Sequence, residues 1–144
     1  MAQSGGCQGS THFNDFDFWL GDWDVTDNSS GQVAGFNSMS KQLNNCLVTE
    51  DWSGASGTTG KSINYFNPLR DEWRQVWVAP RYAINVHGGL VDGAMVLTGS
   101  IDYFNATTYD SRGSWTPSAD GSVRPFFEQY DPDEKTWRVW FDGR

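Results

Sequence analysis

Phe16-Asp17-Phe18-Trp19-Leu20-Gly21-Asp22-Trp23-Asp24-Val25 is the stretch on which the fold turns. It sets four aromatic rings, a Leu and a Val beside one Gly and three Asp, too polar at intervals for a buried helix and too aromatic for a loop. At period two, Phe16, Phe18 and Leu20 share a side with Asp22 and Asp24, while Asp17, Trp19, Gly21, Trp23 and Val25 share the other. Both faces are mixed. The stretch therefore reads as an opening strand whose rings plug one end of a closed or nearly closed sheet, with Gly21 as its bend and Trp19 and Trp23 as core anchors. The tail Trp137-Arg138-Val139-Trp140-Phe141-Asp142-Gly143 repeats the aromatic and acidic mix, which makes it the expected partner of the opening strand along a closing seam.

Between these ends the chain alternates short strand patterns with turns. Strand signals run over Gln32 to Leu43, with Gly35 as a bulge, then Cys46 to Trp52, Lys61 to Phe66, Trp73 to Val78, and Tyr82 to His87, which Gly88-Gly89 ends. Ala94 to Ile101, Tyr109 to Thr116, Val123 to Tyr130 and Trp137 to Asp142 complete the series. Thr26 to Gly31, Asn67-Pro68, Asp92-Gly93, Pro117 to Gly121 and Asp131 to Lys135 carry turn chemistry, and Ser53 to Gly60 is a flexible Gly/Ser/Thr loop. About ten strands at this spacing predict an all-β fold, an up-and-down antiparallel barrel, in preference to a sandwich. Residues 1–15 read as an N-terminal arm and 16–144 as one barrel domain.

Composition agrees with strands and turns: 15% of residues are aromatic and 16 are Gly. A formal charge of −8 argues against nucleic acid or an anionic membrane surface as partner. No apolar run reaches the roughly 20 residues that span a bilayer, and Met1 to Ser10 lacks the apolar core of a signal peptide. With only His12 and His87 there is no plausible metal-ligand set, and no motif calls for a cofactor. Gly54-Ala55-Ser56-Gly57 and Gly88-Gly89 resemble phosphate loops in composition alone, since neither precedes a helix. Two cysteines allow one bridge, Cys7 to Cys46, closing a loop of roughly 40 residues and stabilising by about 3 to 4 kcal/mol; two unrelated thiols are the alternative.

Several polar residues fall in phase with aromatic ones. Glu50 shares a face with Trp52, Gln75 lies between Trp73 and Trp77, Arg124 and Glu128 lie with Phe126 and Tyr130, and Arg112 and Ser114 lie opposite Trp115. Facing inward, Glu50, Arg112, Arg124 and Glu128 can form two ion pairs, because a lone buried charge costs several kcal/mol. Facing outward, they are solvated charges. A cavity with Trp52, Tyr65, Trp77 and Trp115 as contact area and Asn64, Gln75, Arg112, Arg124 and Glu128 as orienting groups has the usual make-up of a small-molecule site.

The chain resembles a family of small exported bacterial proteins of unknown function with a calycin-like barrel, and more loosely lipocalins, fatty-acid-binding proteins and the nitrobindin group. The resemblance is carried by the opening stretch with a Cys about nine residues before it, Cys46-Leu47-Val48-Thr49-Glu50-Asp51-Trp52, Gly60 to Tyr65, Trp73 to Val78 and Gly89 to Leu97. In the tail it rests on Arg112, Trp115-Thr116-Pro117, Asp120 to Arg124, Glu128, Lys135-Thr136-Trp137 and Phe141-Asp142-Gly143. It implies a lipocalin-like barrel, a periplasmic or secreted location with the leader removed, and a Cys7–Cys46 disulfide; it brings no established reaction. Pro125, where the family usually has a polar residue, and Ala79-Pro80-Arg81-Tyr82 depart from the pattern.

The expected function is binding of a small hydrophobic or aromatic molecule inside the barrel, by a monomer or homodimer. One alternative is a cyclase, isomerase or lyase using Glu50 or Glu128 as general acid or base. Another is a filled barrel that works through its surface.

Overall fold

The computed structural model describes residues 6–144. Ten antiparallel strands follow one another in sequence and in space: β1 (Gly21–Thr26), β2 (Val33–Gln42), β3 (Leu47–Gly54), β4 (Thr59–Asn67), β5 (Glu72–Ala79), β6 (Tyr82–Val91), β7 (Ala94–Tyr103), β8 (Thr107–Pro117), β9 (Val123–Asp131) and β10 (Thr136–Asp142). Each strand pairs with the next through a local turn, and the sheet curls into a half-barrel. β6 runs on through Gly88-Gly89, whose backbone pairs with Leu97 and Val96, so the expected break there is absent. Gly88 lies so close to the Val96 carbonyl that a side chain would not fit.

The seam between first and last strands closes at one corner only. Asp27 bridges Gly143, with reciprocal Thr26–Arg144 backbone hydrogen bonds of 2.9 Å and one from the Asn28 N–H to the Asp142 carbonyl, also 2.9 Å. No ladder joins the rest of β1 to β10, so the expected full seam reduces to this clasp. A bulge between Val139 and Phe141 lets two consecutive rings, Trp140 and Phe141, line the same interior.

Alternation sets the inner face. On β4, Gly60, Ser62, Asn64 and Phe66 are buried, whereas Lys61 and Ile63 are exposed. Inward rows then run across the sheet, Phe66–Trp73 at one end, then Val48–Asn64–Gln75, Glu50–Ser62–Trp77 and Asn37–Trp52–Gly60. On β2 the inner residues are Gly35, Asn37 and Met39, while Val33 and Phe36 are exposed. Val33 keeps the inner phase at the exposed end of the strand, Phe36 lies on the outer face, and the Trp52 ring covers Gly35 from inside.

The opening stretch is a strand only from Gly21 onward. Asp17–Trp19 forms a 3₁₀ turn, preceded by 3₁₀ turns at Cys7–Gly9 and Thr11–Asn14. A three-residue period stacks side chains on one side, and Phe13, Phe16 and Trp19 recur at that spacing, all buried. As a strand, the stretch would send Phe16 and Trp19 to opposite faces; as a turn, it lays both over one end of the half-barrel. Phe16 stacks on Trp19 with ring centres 4.7 Å apart and meets Trp73 at 5.6 Å and Trp115 at 5.2 Å. Gly21, at φ +121°, makes the reversal from plug to strand, a conformation a side chain would strain. The Trp73 indole donates to the His12 carbonyl at 3.2 Å, Lys41 pairs with Asp17 at 2.6 Å, and a disulfide joins Cys7 to Cys46. Trp23 is only partly buried and donates to the Trp19 carbonyl at 2.8 Å.

Trp19→Ala is expected to cost about 3 to 5 kcal/mol, because a buried ring in the plug leaves a cavity no neighbour can fill. Chemical denaturation checks this; unchanged stability would remove the plug from the core.

Candidate functional site

A cavity of about 620 Å³ opens at the end of the half-barrel away from the plug. Trp19, Trp23, Trp52, Trp77, Trp115 and Trp140 line it, six of the eight tryptophans in the chain. Its mouth is edged by the turn after β1 and the loop between β3 and β4, through Ser30, Gln32, Ala55, Ser56 and Thr58. Two glycines on the inner face make room for indoles. A Cβ at Gly35 would run into the Trp52 ring, and one at Gly60 into the Trp77 ring, so both rings lie against bare backbone and form the cavity wall.

One polar network crosses this aromatic wall. Glu50, 8% exposed, is the only buried charged side chain among the described residues. Its Oε1 accepts from the Ser62 hydroxyl at 2.6 Å and its Oε2 from the Asn37 amide at 2.9 Å. Below it, Asn64 donates to Ser62 at 2.9 Å and to the Val48 carbonyl at 3.2 Å, and accepts from Gln75 at 2.8 Å. No cation pairs with Glu50. Burial therefore dominates and pushes its carboxyl up to about 7, against the opposing pull of the Ser62 and Asn37 hydrogen bonds. Burial also raises the Tyr82 hydroxyl, with the neighbouring Trp77 acting in the other direction. Among the described residues the buried Asn37 Oδ1 acceptor has no partner, and the buried Trp77 Nε1–H has the Tyr82 hydroxyl as its neighbour, outside strict hydrogen-bond geometry.

Of the residues expected at a binding site, Glu50, Trp52, Gln75, Trp77 and Trp115 line the cavity. Asn64 is fully buried behind Gln75 and reaches the cavity only through it. Tyr65, Arg112, Arg124 and Glu128 do not line it. Tyr65 shares its face of β4 with exposed Ile63. Arg112 pairs with Glu128 at 2.8 Å and lies 4.0 Å over the Trp137 ring. Arg124 grips Asp142 through two 2.9 Å bonds and covers Phe126. Alternation puts these four outside, in phase with solvent-facing neighbours, and ion pairing satisfies the three charged ones there. The expected pairing of Glu50 with an arginine is thus replaced by neutral donors. Pro125 lines the cavity, and its carbonyl accepts from the Gly143 N–H at 2.9 Å.

Asn37, Trp23, Tyr82, Trp140 and Phe141 are lining residues that the sequence did not single out. The available signal was the small residue two positions before Asn37 and two positions after Asn37 the buried Met39, an inward phase hidden because Phe36 lies on the outer face of β2. Among the described residues no cluster of His, Cys, Asp or Glu can hold a metal ion, and no helix is long and apolar enough to cross a membrane. The chain matches no protein-family model, and no curated protein is similar to it.

The raised Glu50 carboxyl fixes a sign for pH dependence. The folded state holds this proton more tightly than the unfolded chain, so its stabilising effect is complete below the ordinary value of 4.5 and is lost as pH rises through about 7. The gap corresponds to about 3 kcal/mol. Glu50→Gln should therefore lose less stability than the parent between about pH 5 and pH 8, as read by denaturation at each pH. Parallel curves would show that Glu50 is not buried as described.

Proposed function

We propose that the protein binds a small, largely apolar or aromatic molecule in the half-barrel cavity. One observation carries this: a cavity of about 620 Å³ walled by six indoles, with the Glu50 carboxyl and the Gln75 amide set among them. Binding sites for small molecules combine such apolar area with a few placed polar groups. A volume of this size falls in the range that holds a drug-sized ligand, and it weighs against a barrel filled by its own side chains. The ten-strand up-and-down order agrees with the lipocalin-like, calycin-like resemblance. The disulfide supports a periplasmic or secreted location, since such bonds persist in oxidising compartments.

A second reading, general acid–base catalysis by Glu50, is favoured by one feature: a carboxyl with a pKa of about 7 can take or give a proton near neutrality. Glu128 has no part in it, because it pairs with Arg112 away from the cavity.

Tryptophan fluorescence titrated with neutral naphthalene and flavonoid probes should show saturable quenching with one site per chain. Trp77→Ala should weaken it by about tenfold, the equivalent of roughly 1.4 kcal/mol. Absence of quenching by every probe in folded protein would overturn the binding function.

A further inference from the structure

The polar end of the cavity is unequal in donors and acceptors. Glu50 offers two carboxylate oxygens, each accepting one hydrogen bond from a neutral group and each with capacity for another. Beside it, Asn37 is 5% exposed and directs its amide nitrogen at Glu50, which leaves Asn37 Oδ1 unpartnered in the lining. Among the described residues no cation pairs with Glu50. The other charged groups of the lining are Asp27 and Arg144, and Arg144 is engaged by Asp120 at 2.6 Å.

We infer that the cavity selects a cationic amine carried on an apolar or aromatic body, its ammonium seated against the Glu50 carboxylate. The inference rests on the binding function proposed above and specifies the class of ligand. Three features favour an ammonium over a neutral or acidic head. An ammonium is donor-only and so matches the remaining acceptor capacity of the Glu50 oxygens. It supplies the missing charge partner of a buried carboxylate, whereas a ligand carboxylate would add a second negative charge. The surrounding indole faces attract a cation in their own right, and Trp52, two residues along from Glu50 on the same face of β3, provides one.

The test compares three probes of one shape, naphthylmethylamine, naphthylmethanol and naphthoic acid, by calorimetric titration at about pH 8, where an alkylamine is charged. The amine is expected to bind at least about tenfold more tightly than the alcohol, with the acid weakest. Glu50→Gln should abolish the margin of amine over alcohol. Circular dichroism shows whether the variant is folded, and the margin in the parent protein stands as the test even if it is not. Alcohol binding with no margin for the amine, or with the acid tightest, overturns the amine inference and leaves the cavity's binding function intact. Failure of all three probes to bind overturns both.

Discussion

The seating of Phe16 among Trp19, Trp73 and Trp115 is the contact on which the rest depends. A half-barrel of ten strands with a one-bridge seam has two ends and an open side, and would otherwise be a curved sheet with an unshielded inner face. The 3₁₀ turn carrying Phe16 closes one end. Aromatic rings suit this role because each buries a large area and packs edge-on or stacked at defined separations. The plug is held at several points: by the His12 carbonyl to Trp73, by Asp17 to Lys41, and by the disulfide from Cys7 to the chain just before β3. With that end shut, inward rows nearer the opposite end line the cavity.

What lies in those rows explains why the interior is open instead of packed. Gly35 and Gly60 replace two inward side chains with bare backbone, and Trp52 and Trp77 lie flat over them. Large rings held against the wall leave the centre empty. Into this wall the chain sets a carboxylate with only neutral partners, at a cost that burial imposes on any charge without a counterion. The Ser62, Asn64 and Gln75 chain behind it fixes the orientation of each group, since each donor has a defined acceptor. Asn37 Oδ1 is where that accounting stays open among the described residues, and the Trp77 N–H has only the Tyr82 hydroxyl beside it.

Much of the architecture was legible in the residues. Every one of the ten strands corresponds to a segment marked by alternation and turn chemistry, and Asn64, Gln75 and Glu50 were in phase with inward aromatics. The plug was read as strand because period two and period three both fit a stretch this rich in rings; the Phe13–Phe16–Trp19 spacing is visible only when the arm is included. Arg112, Arg124 and Glu128 were misplaced for a different reason. Each sits near aromatic residues, but those rings lie on the outside with them, as Trp137 under Arg112 and Phe126 under Arg124 show. An aromatic next to a charge does not say which face holds the pair. Asn37 was hidden because the apolar residues of β2 keep no single phase: Val33 and Met39 share its side and Phe36 lies on the other. No one-strand pattern could show that a ring from β3 would cover Gly35.

Residence of a ligand in the indole-walled cavity is the central proposal. The indole N–H signals of the eight tryptophans in a two-dimensional ¹H–¹⁵N spectrum test it directly, because Trp137 lies outside the cavity and so serves as an internal control. Adding a neutral naphthalene probe should move the signals of Trp52, Trp77 and Trp140 and leave that of Trp137 in place. Shifts confined to Trp137, or no shift at any indole at saturating probe, would contradict it.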